Sequence, residues 1–307
     1  MGEEVTQQRP VNVSGVSRRG LSLFVALSVI WGVPYLLIKV AVAHVSPPDL
    51  VFARTAIGAA LLLPVAAWRR ELRPVVAKWK PLVVYSLVEL VVPWVLLADA
   101  ERRLSSSLSG LLVSAVPLVG AVIALLSPGH DRLSTRNVAG LGLGLAGVAV
   151  LLGFTVSGAD LGSVAIVGVT VLGYAAGPAV MARRLGDLPP LGVAALSVGL
   201  CAVIYAPWAL THPPAAVPAS AAEATIVLGV ICTAVAFVTF FALIAEVGAV
   251  RATVITYLNP AVAVALGATV LGEAVTWATA VGFLMILSGA YLATRRKAAL
   301  AAAPTGQ

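Results

Sequence analysis

The chain has 307 residues, of which 60% are hydrophobic, 11% charged and 6% aromatic, and its mean hydropathy is +1.01. Soluble domains run at about 45–50% apolar and about 25% charged, so this chain lacks the polar surface to cover itself in water. A secreted scaffold, a disordered protein and an ordinary cytosolic enzyme are excluded. The 20 basic against 13 acidic residues give a net charge of +7; in a membrane protein that excess belongs in cytoplasmic loops and does not argue for nucleic acid.

A helix that crosses a bilayer takes about 20 mostly apolar residues. In chain order ten such runs occur, at 21–43, 49–68, 81–99, 105–126, 137–153, 162–182, 191–211, 224–244, 252–271 and 276–294. The breaks carry charge or turn chemistry, as in Ser46-Pro47-Pro48-Asp49, Arg69 to Lys80, and Asp187-Leu188-Pro189-Pro190. Backbone groups in lipid must be hydrogen-bonded internally, so every span is expected to be a helix. The first run is longer than a signal-peptide core, and Lys39 and the double proline flank its one small-residue site, Ala41-Val42-Ala43; it reads as a retained helix. With residues 1–20 inside, 16 of the 20 basic residues fall on the cytoplasmic side and only Arg102 and Arg103 outside, with Lys39 and Arg54 in or beside spans. That asymmetry predicts both termini, 1–20 and 296–307, in the cytoplasm.

The chain also repeats itself at an offset of 143 residues: Trp31 falls on Tyr174, Pro64 on Pro207 and Pro117 on Pro260. With one residue removed, Pro47-Pro48 falls on Pro189-Pro190, Gly140 on Gly282 and Gly147 on Gly289. Each half, 21–153 and 162–295, holds five spans. An odd number makes the second half enter the membrane from the opposite side, the inverted-repeat plan of secondary transporters, whose substrate site lies between halves near the midplane.

Leu258-Asn259-Pro260-Ala261-Val262, then Gly272-Glu273, then Gly282 to Gly289 resemble the second EamA repeat of the drug/metabolite transporter superfamily. The first half carries a paler version in Trp31-Gly32, Arg54, Val116-Pro117-Leu118 and Gly140 to Gly147, but has Gly129-His130 where the second has Gly272-Glu273. The resemblance implies an all-α integral membrane protein of ten helices in two inverted five-helix EamA-like repeats. Spans one, three, four, six, eight and nine would surround a central cavity, and a small metabolite, amino acid or drug would be exported through the plasma membrane.

Ionisable residues inside spans are costly and are functional candidates by default. Glu89, deep in span three, is expected to face the cavity and to contact substrate or carry a proton. Arg54, in span two, either snorkels outward or forms an ion pair with Glu273 or Asp99 that gates one state; Lys39 reads as snorkelling. Pro117 and Pro260 are helix-break candidates, since each removes one backbone hydrogen bond. Trp31, Tyr35, Trp94, Tyr174, Tyr257 and Asn259 are candidates for the substrate path, whereas Trp68, Trp79, Trp208 and Trp277 read as interfacial anchors. Gly142 to Gly147 matches G-x-G-x-x-G but lacks a preceding strand; Gly140 and Gly144 instead suggest close helix packing.

Cys201 and Cys232 lie in apolar runs and supply neither a disulfide framework nor metal-ligand spacing, and the three histidines are scattered. No metal, cofactor, nucleic-acid partner or ATP site is expected. The partners are a small-molecule substrate and the lipid bilayer, and oligomeric state is not legible. An intramembrane lipid-modifying enzyme and a non-transporting membrane partner protein are the alternatives; the dispersal of His, Asp and Glu counts against the first.

Overall fold

The computed structural model describes residues 17–126, 135–155, 160–214, 216–248 and 252–294. Arg9, Asn12-Val13-Ser14 (a match to the N-x-S/T glycosylation acceptor), Gly129-His130, Arg132, Arg251, Arg295, Arg296, Lys297 and the tail 296–307 lie outside the described residues.

All ten spans form helices. Span one is Arg18–Gly32 followed by Pro34–Val42, and span two is Pro47–Trp68. A short helix, Leu72–Ala77, leads into span three, which runs Trp79–Ser86, a π-helical turn Leu87–Val91, and Val92–Ala100. Span four is Ser106–Val113 and Val116–Leu126, span five Thr135–Thr155, and span six Leu161–Val180 with a π-helical end Met181–Leu185. Span seven is Pro190–Thr211; span eight is Ala219–Gly229, a π-helical turn Val230–Val235, and Ala236–Val247. Span nine is a 3-10 turn Thr253–Tyr257 followed by Asn259–Val270, and span ten is Trp277–Thr294. Among the described residues, nine of these are long and apolar enough to cross a membrane alone. Span nine is a shorter apolar helix, Ile255–Val270.

The outer surface suits lipid. Leu21, Val25, Leu145, Phe154, Leu172, Leu210 and Leu284 all stand exposed, which water would penalise at about 25 cal/mol per Å² and hydrocarbon would not. Trp68, Trp79, Trp208 and Trp277 are exposed at helix ends.

The spans pair across the two halves: one with eight, three with six, two with seven, four with nine, and five with ten. Exchanging the halves turns the one–eight pair into the six–three pair and each of the other three into itself. The packing is therefore pseudo-twofold. Span one starts at the end that carries Arg69, Arg73, Lys78 and Lys80 (the basic end) while span six starts at the opposite end. Contacts confirm which loops share an end: the Lys78 ammonium lies 2.7 Å from the Asp187 carboxylate, and Glu273 reaches Ser106.

Glycine decides the tightest crossing. A Cβ on Gly140 would sit 2.7 Å from the Gly289 carbonyl oxygen, and one on Gly147 would sit 2.8 Å from that of Gly282. Spans five and ten thus meet backbone to backbone. Lipid offers no hydrophobic drive for such contacts, so van der Waals packing of small residues supplies it. Gly142, on the other face, has nothing within 4 Å of a built Cβ.

Candidate functional site

The interior spans carry several discontinuities, and those of four of them, spans three, four, eight and nine, come in matched pairs. Pro117 and Pro260 each occupy the second residue of a helical segment that follows a break. The π-helical turn beginning at Leu87 in span three matches, at the 143-residue offset, the one beginning at Val230 in span eight. π-Helical turns unpair backbone groups and occur often at functional sites. Here the Tyr205 hydroxyl donates to the Val91 carbonyl at 2.9 Å, and the Thr233 hydroxyl donates to Leu228 at 2.8 Å.

Glu89 sits in the first of these turns. Its Oε2 is buried with no hydrogen-bond partner, and it occupies the space beside Gly177 of span six that a side chain there would fill. Glu89 therefore points into the three–six interface.

Arg54 does not snorkel and does not pair with Glu273 or Asp99. It is 6% exposed. Its Cζ lies 3.8 Å above the Trp94 ring and its Nη2 donates to Thr233 Oγ1 at 3.3 Å, so spans two, three and eight hold it jointly. Facing inward, it meets an aromatic face and a hydroxyl, a better environment for a guanidinium than lipid. Asp99 faces Arg102 instead, at 3.5 Å.

Glu273 has a different task. Its carboxylate accepts from the backbone N–H groups of Ser106 at 2.7 Å and Ser107 at 2.9 Å, so it caps span four. Gly272 makes this possible. It ends span nine in the left-handed region at φ 66°, and the N–H groups of Leu271 and Glu273 both return to the Gly267 carbonyl. The Gly-Glu pair is thus a hinge and a cap that tie span nine to span four. Lys39 is likewise not snorkelling: its Nζ donates to the carbonyls of Glu101 at 2.7 Å and Leu104 at 2.8 Å, closing the end of span three.

The aromatic candidates divide. Trp31 packs on Phe240 at 4.9 Å and Phe237 at 6.3 Å, both from span eight. Tyr35 is buried in the apolar cluster that includes Leu108, Leu112 and Val171, and Tyr174 is half-buried on span six. Tyr257 is set apart, lining a groove of about 370 Å³ with Leu284 and Tyr291 of span ten. The Asn259 amide, turned with its nitrogen toward span one, donates to the carbonyls of Ser28 at 3.2 Å and Ile255 at 2.9 Å. A second pocket, of about 420 Å³, opens between Asp99, Arg102, Arg103, Ser163 and Ile166.

Sequence reading missed Glu101. It is wholly buried, and neither carboxylate oxygen has a partner. It lies just past the apolar run 81–99 and directly before Arg102-Arg103. The available signal was its spacing of seven from Trp94, which puts both on one helical face.

The model of the EamA-like transporter family matches the chain twice, over residues 18–153 and 161–295. This chain belongs to the EamA-like transporter family. The two matches coincide with the two packed halves. A relative from Bacillus subtilis (strain 168), named uncharacterized transporter YvbV, is 27% identical over 295 residues, covering 92% of this chain and 94% of the relative. An uncharacterized transporter from Archaeoglobus fulgidus is 23% identical over 286 residues, covering 90% and 97%. A crystal structure with 24% identity aligns with a TM-score of 0.64 over 90% of this chain and 96% of its own, a likeness in fold. The protein is a multi-pass membrane transporter of the drug/metabolite type.

Proposed function

We propose that this transporter exports a small organic solute across the cytoplasmic membrane by alternating access, without ATP. The basic end and both termini face the cytoplasm. The observation that carries the reading is the set of matched breaks between exchangeable halves. Prolines 117 and 260, and the π-helical turns of spans three and eight, interrupt the interior helices at positions matched by the 143-residue repeat. Two halves with the same hinges can exchange conformations, and exchange opens the interior first to one side and then to the other. Substrate must bind the two states differently to drive anything. Positive-inside charge supports the orientation. Glu89, buried and unpartnered on one oxygen, is the proton-coupling candidate.

The test starts in cells. Strains lacking or overproducing the protein are compared for metabolites in medium and cytoplasm. A compound that accumulates inside the deletion strain and outside the overproducer is the cargo, and proteoliposomes should then show counterflow of it. No compound changing its partition, or no counterflow of one that does, refutes the carrier. If the Glu89→Gln variant transports at the wild-type rate with unchanged pH dependence, Glu89 carries no proton.

A further inference from the structure

At the end opposite the basic end, a cavity of about 420 Å³ opens between spans three and six, lined by Asp99, Arg102, Arg103, Gly162, Ser163 and Ile166. That volume falls among small-ligand pockets, at about 300–1,000 Å³. The carrier reading uses none of it. Arg102 and Arg103 are the two basic loop residues that stand away from the basic end, against the charge asymmetry that orients the rest of the chain. Both line this cavity. Asp99 faces Arg102 at 3.5 Å, while the Arg103 guanidinium has no partner among the described residues. Two guanidiniums against one carboxylate leave the lining at a net charge of +1.

The backbone presents these groups. Lys39 Nζ takes the carbonyls of Glu101 at 2.7 Å and Leu104 at 2.8 Å, and those two residues are buried, at 0% and 2% exposed. The turn is thus fixed on either side of the arginine pair, whose side chains stay outside. Opposite it, span six begins at Leu161. The N-cap residue, Asp160, gives the first turn no side-chain hydrogen bond, so the partial positive charge of that helix end is not capped by it. Ser163 lies in this turn and lines the cavity. It is 5% exposed, and its hydroxyl has no hydrogen-bond partner among the described residues. A Cβ built on Gly162 meets nothing within 4 Å, so the approach to the turn is open. A guanidinium, an unused hydroxyl and a helix N-terminus are all donors, and a phosphate has enough acceptor oxygens to take all three.

Below the cavity the surface is apolar. Two turns deeper, about 10 Å along each axis, span three presents Val92 at 42% exposed and span six presents Val169 at 46%, on the faces that carry Asp99 and Gly162. Leu172 continues the strip at 54%. A free phosphate makes no use of such a strip, whereas the acyl chains of a phospholipid lie along it while its headgroup sits between the helices.

We propose that this cavity is a headgroup site for an anionic phospholipid. Arg103 and the Ser163 hydroxyl donate to the phosphodiester at the first turn of span six, Arg102 stays with Asp99, and the acyl chains descend over Val92 and Val169. A bound lipid then joins the turn after span three to the start of span six.

The test titrates lipid-depleted, full-length protein in maltoside detergent with dioleoylphosphatidylglycerol in mixed micelles. Melting temperature reports stabilisation and native mass spectrometry counts bound lipid. The lipid should stabilise wild type and remain bound. Dioleoylglycerol, which lacks the phosphate, should do neither, and dioleoylphosphatidylcholine, which has no net charge, should bind more weakly. Glycerophosphoglycerol and inorganic phosphate, each at about 10 mM, a concentration that reveals millimolar affinities, should leave the melting temperature unchanged. Without lipid, Arg103→Gln and Ser163→Ala should melt with wild type, because neither group has a partner to lose. Arg103→Gln should weaken phosphatidylglycerol by about tenfold, and Ser163→Ala by less. Gly162→Leu fills the cavity and should abolish the site, while Arg69→Gln, which removes an exposed charge at the basic end, should bind as wild type does. The proposal is overturned if dioleoylglycerol or phosphatidylcholine matches phosphatidylglycerol, or if either soluble phosphate stabilises as much as the lipid. It is equally overturned if Arg103→Gln keeps wild-type affinity or melts lower without lipid, if Gly162→Leu still binds, or if Arg69→Gln loses as much as Arg103→Gln.

Discussion

Replacing Glu273 by alanine should loosen the joint between spans nine and four. The carboxylate accepts two backbone N–H groups, at 2.7 Å and 2.9 Å, and both belong to buried residues, Ser106 at 0% and Ser107 at 6% exposed. Hydrogen bonds to a charged group contribute about 1.5–3 kcal/mol each, and an anion at a helix N-terminus adds about 0.3–1 kcal/mol. Membrane interiors give smaller values, with cycles averaging near 0.6 kcal/mol per bond, so the expected loss is about 2–4 kcal/mol. Glu273→Gln keeps one acceptor oxygen and should lose about half of that. The assay is SDS-driven unfolding of the purified transporter in mixed micelles, followed by tryptophan fluorescence. Alanine should lower the midpoint clearly, and glutamine should fall between it and wild type. If alanine unfolds with wild type, the carboxylate does not cap span four and the Gly-Glu pair acts elsewhere.

Three further outcomes follow from the packing. Gly289→Val should destabilise by at least about 1–3 kcal/mol, since a Cβ there would strike the backbone of Gly140 and Gly144, while Gly142→Val should stay within about 0.5 kcal/mol; equal midpoints for the two would contradict the five–ten crossing. Lys39→Met strips two carbonyls of their donor and should cost about 2–4 kcal/mol, whereas a snorkelling lysine would tolerate the change, and the same unfolding titration decides. The Lys78 hydrogen bond holds the Asp187 carboxyl below its ordinary range. A depressed folded value means a contribution present above the unfolded pKa and lost as pH falls through the folded one. Any difference in melting temperature between wild type and Asp187→Asn should therefore be full at neutral pH, begin to shrink only below about pH 4 and vanish once the pH passes the depressed folded value; a difference that grows in acid would rule the contact out.

Composition and periodicity were enough to establish ten apolar segments and two repeats, because lipid forces every backbone group into a helix and forces each helix to a minimum length. The offset of 143 residues pointed to the positions where the interior helices break. Proline withholds one backbone N–H wherever it stands, yet Pro64 and Pro207 stay inside continuous helices, so a proline marks a place where a break is cheap and packing decides whether it occurs. The matched π-helical turns left no such mark. Nothing in Leu87 to Val91 or Val230 to Val235 announces an extra residue per turn, and the turn is settled by what packs on it, as Tyr205 does on Val91.

Charged side chains were the least legible. Sequence placed Arg54, Lys39 and Glu273 in or near span ends, where snorkelling, pairing and solvation all satisfy depth alone, and Glu101 drew no reading. Only the tertiary structure decided that Arg54 lies on Trp94, that Lys39 and Glu273 close helix ends on other spans, and that Glu101 is enclosed without a partner. A long charged side chain reaches across several residues of a neighbouring helix. Its partner is therefore set by how the helices rotate and cross, which the order of amino acids along any single helix does not contain.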